Sequence, residues 1–495
     1  MVAQKQDGPT VFVADWQTTI AGIPIDFNSE LRANLSTEYG TLLDAVAYSA
    51  TDGDVWWQDP FEIGYVQAPY GSQYVILALP RSTHYASPNF LDYAKNNMIR
   101  NGVGLYDTFA VGTFNNQEDG GNFEVMPGKN DQGNTLGKIV MATGHSGSMN
   151  SNIVNFLRAQ GVQDVIDDVD LSWMYLGHID EVISFASSAN GRSRVASPEA
   201  AYALLLHAKQ NLGVTGTQPI FTDMNFDDFT LNELIQEIQN NYLFLFGPDS
   251  YAEKIRTNVI QKLDLDSQNY TIRSSIGGIS QYSLTRIGYL EGNDHFGGGK
   301  MVEWKLEFTS NVAYNLYYRK DGTSDPWIFD GTGNRNTDFI SNSGMVYILH
   351  TWWGYATTAG QGVTFATYPS PDIIEMPVFF YNFSDGLNQG ARAFTNNVIN
   401  SLVDGNTMFC PHVDGPSNVF NNYVSYVVTK NYLGKNEEGS IVLKSSEISS
   451  VIFSNDFYYH VGCGSIHCGT NVLRKMPVFG SGKEWWMLFD EEDFF

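Results

Sequence analysis

The run His467-Cys468-Gly469-Thr470-Asn471 sets a cysteine among small residues that let a backbone turn tightly and a substrate approach. A thiol reacts as the thiolate, so a working Cys468 should be partly open and close to groups that favour the anion. Two distant segments offer partners. Residues 54–69 hold Trp56, Trp57, Gln58, Asp59 and Glu62, and residues 177–185 hold Gly177-His178-Ile179-Asp180-Glu181. His178 and Asp180 are two apart, so on an extended strand they would project from one face. A thiol, an imidazole and two carboxylates suit a guanidinium substrate. Two carboxylates can clamp the planar cation through paired charge-assisted hydrogen bonds. The thiolate then attacks its central carbon while the imidazole moves protons to the leaving amine and from the incoming water.

Taken singly, each residue also has a plain structural use. Asp59 is a turn acceptor ahead of Pro60, His178 a satisfied strand histidine, and Cys468 a small buried hydrophobe. Trp56 and Trp57 are core aromatics on the same footing. Their joint occurrence tips the balance towards chemistry. Cys410 and Cys463 read as structural.

The three segments resemble the catalytic domain of the protein-arginine deiminases, members of the pentein, or guanidino-group modifying, superfamily. The ending His-Cys-Gly-Thr-Asn-Val-x-Arg-Lys, with Trp485-Trp486 after it, is similar to that family's C-terminal signature. Trp-x-Gln-Asp-x-x-Glu-Ile-Gly-Tyr-x-Gln-Ala-Pro and Gly-His-x-Asp-Glu are similar to its other two active-site segments. The likeness covers most of residues 50–275 and 371–495. It implies Cys468 as the nucleophile of a covalent thiouronium intermediate and His178 as general acid, then base. It implies Asp59 and Asp180 on the two sides of the guanidinium, and Trp56 along the substrate's apolar stem. Arg81 matches an arginine that in the family contacts the substrate backbone; a second such arginine is Thr83 here. The implied activity is conversion of peptidyl-arginine to peptidyl-citrulline and ammonia. Free arginine or agmatine-like guanidines are the alternative substrates, and a non-catalytic binding protein on the same scaffold is the remaining one.

The resemblance also implies calcium. Calcium takes carboxylate and carbonyl oxygens, and one family site pairs a Gln and a Glu flanking the first catalytic Asp with a short turn. Both parts have counterparts here. The implied ligands are the side chains of Gln58, Glu62 and Glu124 and the backbone carbonyls of Gly120 and Phe123. The neighbouring family site is not kept: Pro60, Ala78 and Leu79 stand where its ligands would be. One calcium is expected, tying the Asp59 loop to the Phe123–Glu124 turn.

The elements that must position these residues alternate along the chain. Residues 11–14 and 74–79 read as buried strands. Ile153, Phe156, Leu157 and Ala159 mark a helix face, capped by Asn150 or Ser151. Ser197-Pro198-Glu199 opens another helix with proline at its first position. Thr230–Glu233 and Ser250–Glu253 are capping boxes, the second leading a helix that buries Ile255, Val259, Ile260 and Leu263. Composition says only α/β or α+β. The resemblance implies more: an α/β propeller of five ββαβ-like units, with catalytic segments converging at a central channel.

Residues 277–370 interrupt this plan. Residues 301–308 alternate cleanly, residues 314–318 and 346–353 are strand-like, and glycine-rich turns separate them. The expectation is a pentein catalytic domain from residues 1–276 and 371–495, with an inserted β-rich sandwich or jelly-roll module between. Exposed Trp and Tyr on that module would bind carbohydrate or a partner protein; alternatively Trp304, Trp327 and Trp352 fill its core.

The chain has 495 residues, 43% apolar and 17% charged, which describes a globular protein rather than a disordered one. Its formal charge of −26 makes nucleic acid a poor partner and would gather cationic, arginine-bearing peptides. No run of 18 apolar residues appears, so no membrane span is expected. Three cysteines, one kept for chemistry, leave no disulfide framework. The Asn-, Gly-, Ser- and Thr-rich, Lys-poor composition favours a secreted protein whose signal is absent from this chain, with a cytoplasmic location as the alternative. Sequons at Asn34, Asn269 and Asn382 decide nothing in so Asn-rich a chain.

Overall fold

The computed structural model describes residues 10–473 apart from 21–22, 41–42, 52, 69–70, 82–88, 100–102, 109–114, 129–135, 186–190, 218–228, 241–244, 246–248, 278–286, 291–300, 350–356, 387–388, 414–417 and 436–440. Thr83, Trp352, Trp485 and Trp486 therefore lie outside the described residues.

One small unit recurs. Strand Thr10–Asp15 runs antiparallel to Thr470–Leu473 on one side and parallel to Leu43–Ala47 on the other. Gly71–Ala78 lies in the same way between Phe61–Ala68 and Val103–Asp107. So do Lys138–Thr143 between Glu124–Met126 and Asp164–Asp170, and Ser193–Ser197 between Ile183–Ser184 and Ile373–Pro377. Thr407–Pro411 between Leu402–Asp404 and Ser450–Ser454 completes the set. A parallel pair cannot be joined by a tight turn and needs a crossover. The helices Ser29–Tyr39, Asn89–Tyr93, Ser151–Ala159, Pro198–Gln210 and Val419–Thr429 lie between the parallel strands of these sheets in chain order.

The local signals explain where these elements start. Asn150 caps Ser151–Ala159 by accepting from the Asn152 N–H at 3.0 Å. That helix buries Ile153, Val154 and Leu157. Ala159, expected on the buried face, is exposed, because Val154 turns inward instead and Phe156 lies flat against Tyr106 at 4.4 Å. Ser197 caps Pro198–Gln210 through the Ala200 N–H. This helix is buried from Ala200 to Leu206 on all sides, as an apolar helix inside a large core must be. Thr230 and Glu233 exchange both bonds of a capping box. Ile255, Val259, Ile260 and Leu263 are buried as expected, although their segment Ile255–Gln261 is wound as a π-helix.

Between Ser193–Ser197 and its parallel partner Ile373–Pro377 the chain forms further sheets. One has five antiparallel strands in the spatial order Tyr270–Ile276, Gly362–Thr367, Val302–Phe308, Ala313–Lys320, Ile328–Asn334. A second joins Ile287–Tyr289, Val346–Ile348 and Phe339–Ile340. The alternation in residues 302–308 is literal: Val302, Trp304, Leu306 and Phe308 are buried, while Glu303, Lys305 and Glu307 face outward. Trp304, Phe308, Tyr314, Phe365, Ile287, Phe339 and Ile348 share one apolar cluster between the two sheets. Trp304 also donates its ring N–H to Thr367 at 2.8 Å, which satisfies its polar edge. Trp327 is half-buried, with the Arg319 guanidinium 4.2 Å from its ring centre. Among the described residues no helix is long and apolar enough to cross a membrane.

Candidate active site

The segment just before the first strand of each recurring unit faces one place. Asp59 precedes Phe61–Ala68, Gly121 precedes Glu124–Met126, and His178 with Asp180 precedes Ile183–Ser184. Asn400 precedes Leu402–Asp404, and Cys468 precedes Thr470–Leu473. Their meeting is measured at Gly121. A Cβ there would lie 2.9 Å from His178 Nδ1, 3.2 Å from Asp180 Oδ2 and 3.3 Å from Asp59 Oδ1. The three groups thus surround a single spot that a side chain would fill.

Cys468 joins them. Its Sγ lies 3.4 Å from Asp180 Oδ2. Asn400 grips it twice, accepting from the Cys468 N–H at 3.1 Å and donating from Nδ2 to Sγ at 3.1 Å. The Cys468 carbonyl accepts from the Gln58 N–H at 3.1 Å, which ties the nucleophile loop to the Asp59 loop. Asn471 reinforces that seam by donating to the carbonyls of Trp57 and Phe61. Cys468 was expected to be partly open, but it is only 4% exposed. Burial first, then the charges of Asp180 and Asp59, push its thiol well above the usual cysteine range.

His178 and Asp180 do not lie on a strand. His178 has extended backbone and begins a short 3₁₀ turn, Ile179–Glu181, that contains Asp180. Glu181 makes this turn by accepting the N–H groups of both Gly177 and His178 on one oxygen, at 3.0 and 2.9 Å. Burial raises Glu181 to about 7, against the lowering effect of the neighbouring imidazole. His178 Nε2 sits 2.6 Å from the Asn116 carbonyl, which only accepts, so Nε2 carries a proton and Nδ1 is the nitrogen left to titrate. Burial opposes the charged imidazole. The carboxylates of Asp59, Asp119, Asp180 and Glu181 outweigh it and raise its pKa.

Among the described residues, buried Asp59 Oδ1, Asp180 Oδ1, His178 Nδ1 and, behind them, Asp119 Oδ1 have no hydrogen-bond partner. Such atoms are rare and point to a ligand or a catalytic role. Asp59 is raised above the ordinary carboxylate value by burial, against the opposing pull of Arg81 and His178. Trp56 is half-buried and packs 5.5 Å from Tyr459, ring centre to ring centre. Its ring lies so close to Gly464 that a Cβ there would come within 2.3 Å of Cζ3.

The remaining expected residues fall around this centre. Gln58 and Glu62 are joined by a 2.8 Å bond from Nε2 to Oε2. Gly120 donates its N–H to the Asp59 carbonyl at 2.9 Å, and its carbonyl accepts from the Phe123 N–H. A Cβ on Gly120 would lie 2.1 Å from the Gln58 carbonyl oxygen, so glycine is required where these two loops touch. Glu124 is buried, with Oε1 3.5 Å from His467 Nε2, and His467 Nδ1 is 2.9 Å from Asp180 Oδ2. Among the described residues no three His, Cys, Asp or Glu side chains gather into a metal-ligating group. Arg81 bonds inside the protein: Nη1 lies 3.1 Å from Asp119 and 3.4 Å from Asp59, and Nε and Nη2 lie 3.3 and 3.2 Å from Asp54.

Asn400, Asp119 and the bridging role of His467 are absent from the motif-based list. No local pattern marks Asn400 or Asp119. The signal that finds Asn400 is its place in the recurring unit, immediately ahead of the first strand, where the other units carry Asp59, Asp180 and Cys468.

Protein-arginine deiminase type-4 of Mus musculus is 24% identical over 453 residues, covering 88% of this chain and 48% of that protein. Protein-arginine deiminase type-3 of Homo sapiens is 31% identical over 198 residues, 37% of this chain and 28% of that protein. The chain thus spans about half the length of the first of these relatives. Among solved structures, an agmatine deiminase of C. jejuni aligns over 96% of both chains at a TM-score of 0.38 and 9% identity. A family model described as protein-arginine deiminase (PAD) matches residues 1–260, more than half of the sequence, and the chain belongs to the protein-arginine deiminase family.

Proposed function

We propose that this protein is a protein-arginine deiminase that converts peptidyl-arginine to peptidyl-citrulline and ammonia. The observation that carries the proposal is the spot beside Gly121, which Asp59 Oδ1 and His178 Nδ1, both buried and unpartnered among the described residues, share with the Asp180 carboxylate, next to a thiol gripped by Asn400. A guanidinium presents planar donors on both sides, and two carboxylates facing one spot match them. Substrate binding brings a positive charge against the two carboxylates that hold the Cys468 proton on. The thiol then ionises, releasing its proton. Sγ bonds to the guanidinium carbon, His178 Nδ1–H protonates a departing nitrogen, and the C–N bond breaks to free ammonia. Water next gives a proton to His178 Nδ1 as its oxygen bonds to the same carbon. The S–C bond breaks as the new hydroxyl gives its remaining proton to solvent, where it makes ammonium of the freed ammonia, and neutral citrulline leaves with the thiolate restored. Trp56 would flank the arginine stem.

We extend the proposal to the architecture and the metal. The five recurring units would close as the five blades of a pentein propeller formed by residues 1–276 and 371–495. Residues 277–370 would be an insertion whose sheet takes Tyr270–Ile276 as an edge. Calcium prefers hard oxygen donors. Glu62, Glu124, Gln58 and the carbonyls of Gly120 and Phe123 form such a set, with Gln58 and Glu62 already in contact and Glu124 buried. A cation held there would add charge that fixes the Asp59 loop against the Gly120–Phe123 turn. Asp59 and Asp180, not the ion, would make the contacts to the guanidinium.

The test is ammonia release from a blocked arginine peptide and from free arginine, each with calcium and with excess chelator. Cys468→Ala serves as the inactive control and should still bind the peptide. Turnover of the peptide, lost on chelation, is expected. Turnover that persists in Cys468→Ala would refute the nucleophile. Activity confined to free arginine would keep the chemistry and move the enzyme to small guanidines.

A further inference from the structure

Arg81 holds a buried web of acids together. Its guanidinium reaches Asp119 at 3.1 Å, Asp59 Oδ2 at 3.4 Å and Asp54 Oδ2 at 3.2 and 3.3 Å, while its side chain is 17% exposed. Asp119 is almost fully buried, and the next residue, Gly120, donates its N–H to the Asp59 carbonyl. Arg81 and Asp119 therefore grip Asp59 on one side, by its Oδ2 and by its backbone. Its other oxygen, Oδ1, has no partner among the described residues and faces the spot beside Gly121.

We infer that Arg81, with Asp119 behind it, is a positioning residue that aims Asp59 Oδ1 into the guanidinium site, rather than a contact to the substrate's peptide backbone. This rests on the deiminase proposal and widens its substrate class to guanidines without a peptide backbone. Drawing Arg81 out to reach a peptide carbonyl would strip the cation from three carboxylates, two of them buried. An uncompensated buried charge is among the most destabilising changes a protein can suffer. The rigid guanidinium fork is suited to spanning several carboxylates, where a point charge is not. Recognition through Arg81 then stops at the arginine side chain. A guanidine without a peptide carbonyl should be handled by the same clamp, and losing Arg81 should harm every substrate alike.

Two substrates separate the possibilities: a blocked arginine peptide and agmatine, which carries the guanidinium on a chain with no carbonyl. Arg81→Gln should lower kcat/KM for both by the same factor, about 100-fold for a misplaced clamp. Arg81→Lys should recover part of the loss for both. A rise in KM for the peptide with agmatine unchanged would overturn the inference, and so would a wild-type enzyme that neither binds nor turns over agmatine. Should Arg81→Gln lose its cooperative melting transition, Asp119→Asn replaces it, with the same parallel loss expected; an effect on the peptide alone, or none on either substrate, refutes the role. If the wild type releases no ammonia from any guanidine, the activity proposal fails by itself. Calorimetric binding of the two compounds to Cys468→Ala and to Cys468→Ala/Arg81→Gln then decides the positioning role, with equal weakening for it and selective weakening of the peptide against it.

Discussion

Gly121→Ala is the smallest change that probes the centre of the site. The added Cβ would lie 2.9 Å from His178 Nδ1, 3.2 Å from Asp180 Oδ2 and 3.3 Å from Asp59 Oδ1. Carbon contacts are most favourable at about 3.5–4.0 Å, so each group must retreat by roughly half an ångström, and a guanidinium seated between them by about 1 Å. A misplacement of about 1 Å costs on the order of 100-fold in rate, or about 2.7 kcal/mol of transition-state stabilisation. The fold should not suffer, because Gly121 has no positive φ and alanine there reduces the freedom of the unfolded chain. The assay is kcat/KM for ammonia release from a blocked arginine peptide, beside thermal melting and calcium titration of the same variant. The expected outcome is a loss of about 100-fold with melting and calcium binding close to wild type. Activity within about threefold of wild type, less than 1 kcal/mol, would show that the space beside Gly121 is not where the guanidinium sits.

Other expectations follow from the same geometry. Asn400→Ala removes the donor to Sγ and should slow alkylation of Cys468 by a haloacetamide about tenfold, the worth of a hydrogen bond to a charged group; an unchanged rate would mean that Asn400 only packs. Because burial and nearby carboxylates push the Cys468 thiol up, the substrate-free enzyme should alkylate more slowly than free cysteine at neutral pH and speed up as pH rises. The His178 pKa is raised, so its charged form stabilises the fold fully below the ordinary value of about 6.5, and that contribution is lost as pH climbs through the raised value. The same charged form protonates the leaving group, so kcat should fall on the alkaline side; a profile flat there would remove His178 as the acid. Glu124→Gln should abolish calorimetric calcium binding, and an unchanged binding heat would reject Glu124 as a ligand.

Short motifs made the chemistry visible because chemistry demands particular residue types. The proposed reaction calls for a thiol, an imidazole and paired acids, and Cys468, His178, Asp59 and Asp180 stand in compact, recognisable runs. Asn400 escaped notice because an amide that supports a thiol looks like any other asparagine in a chain rich in them. Asp119 escaped because a buried acid and a solvated one are written alike. The two-residue spacing of His178 and Asp180 suggested a strand, whereas Glu181, by capping two N–H groups, bends the segment into a turn that still delivers both side chains to one spot.

Local order came directly from the chain: Asn150 and Ser197 start helices, and the alternation from Val302 to Phe308 sets which face of a strand is buried. These features depend on neighbours a few residues away, where backbone geometry and side-chain period leave few choices. The burial of Cys468, the withdrawal of Arg81 into an acid web and the single spot shared by Asp59, His178 and Asp180 depend on pairs far apart along the chain. Asp180 meets Cys468 across a separation of 288 residues and Asn400 meets it across 68. No local rule brings such pairs together; the packing of five like units does, by presenting the start of each first strand to the same place.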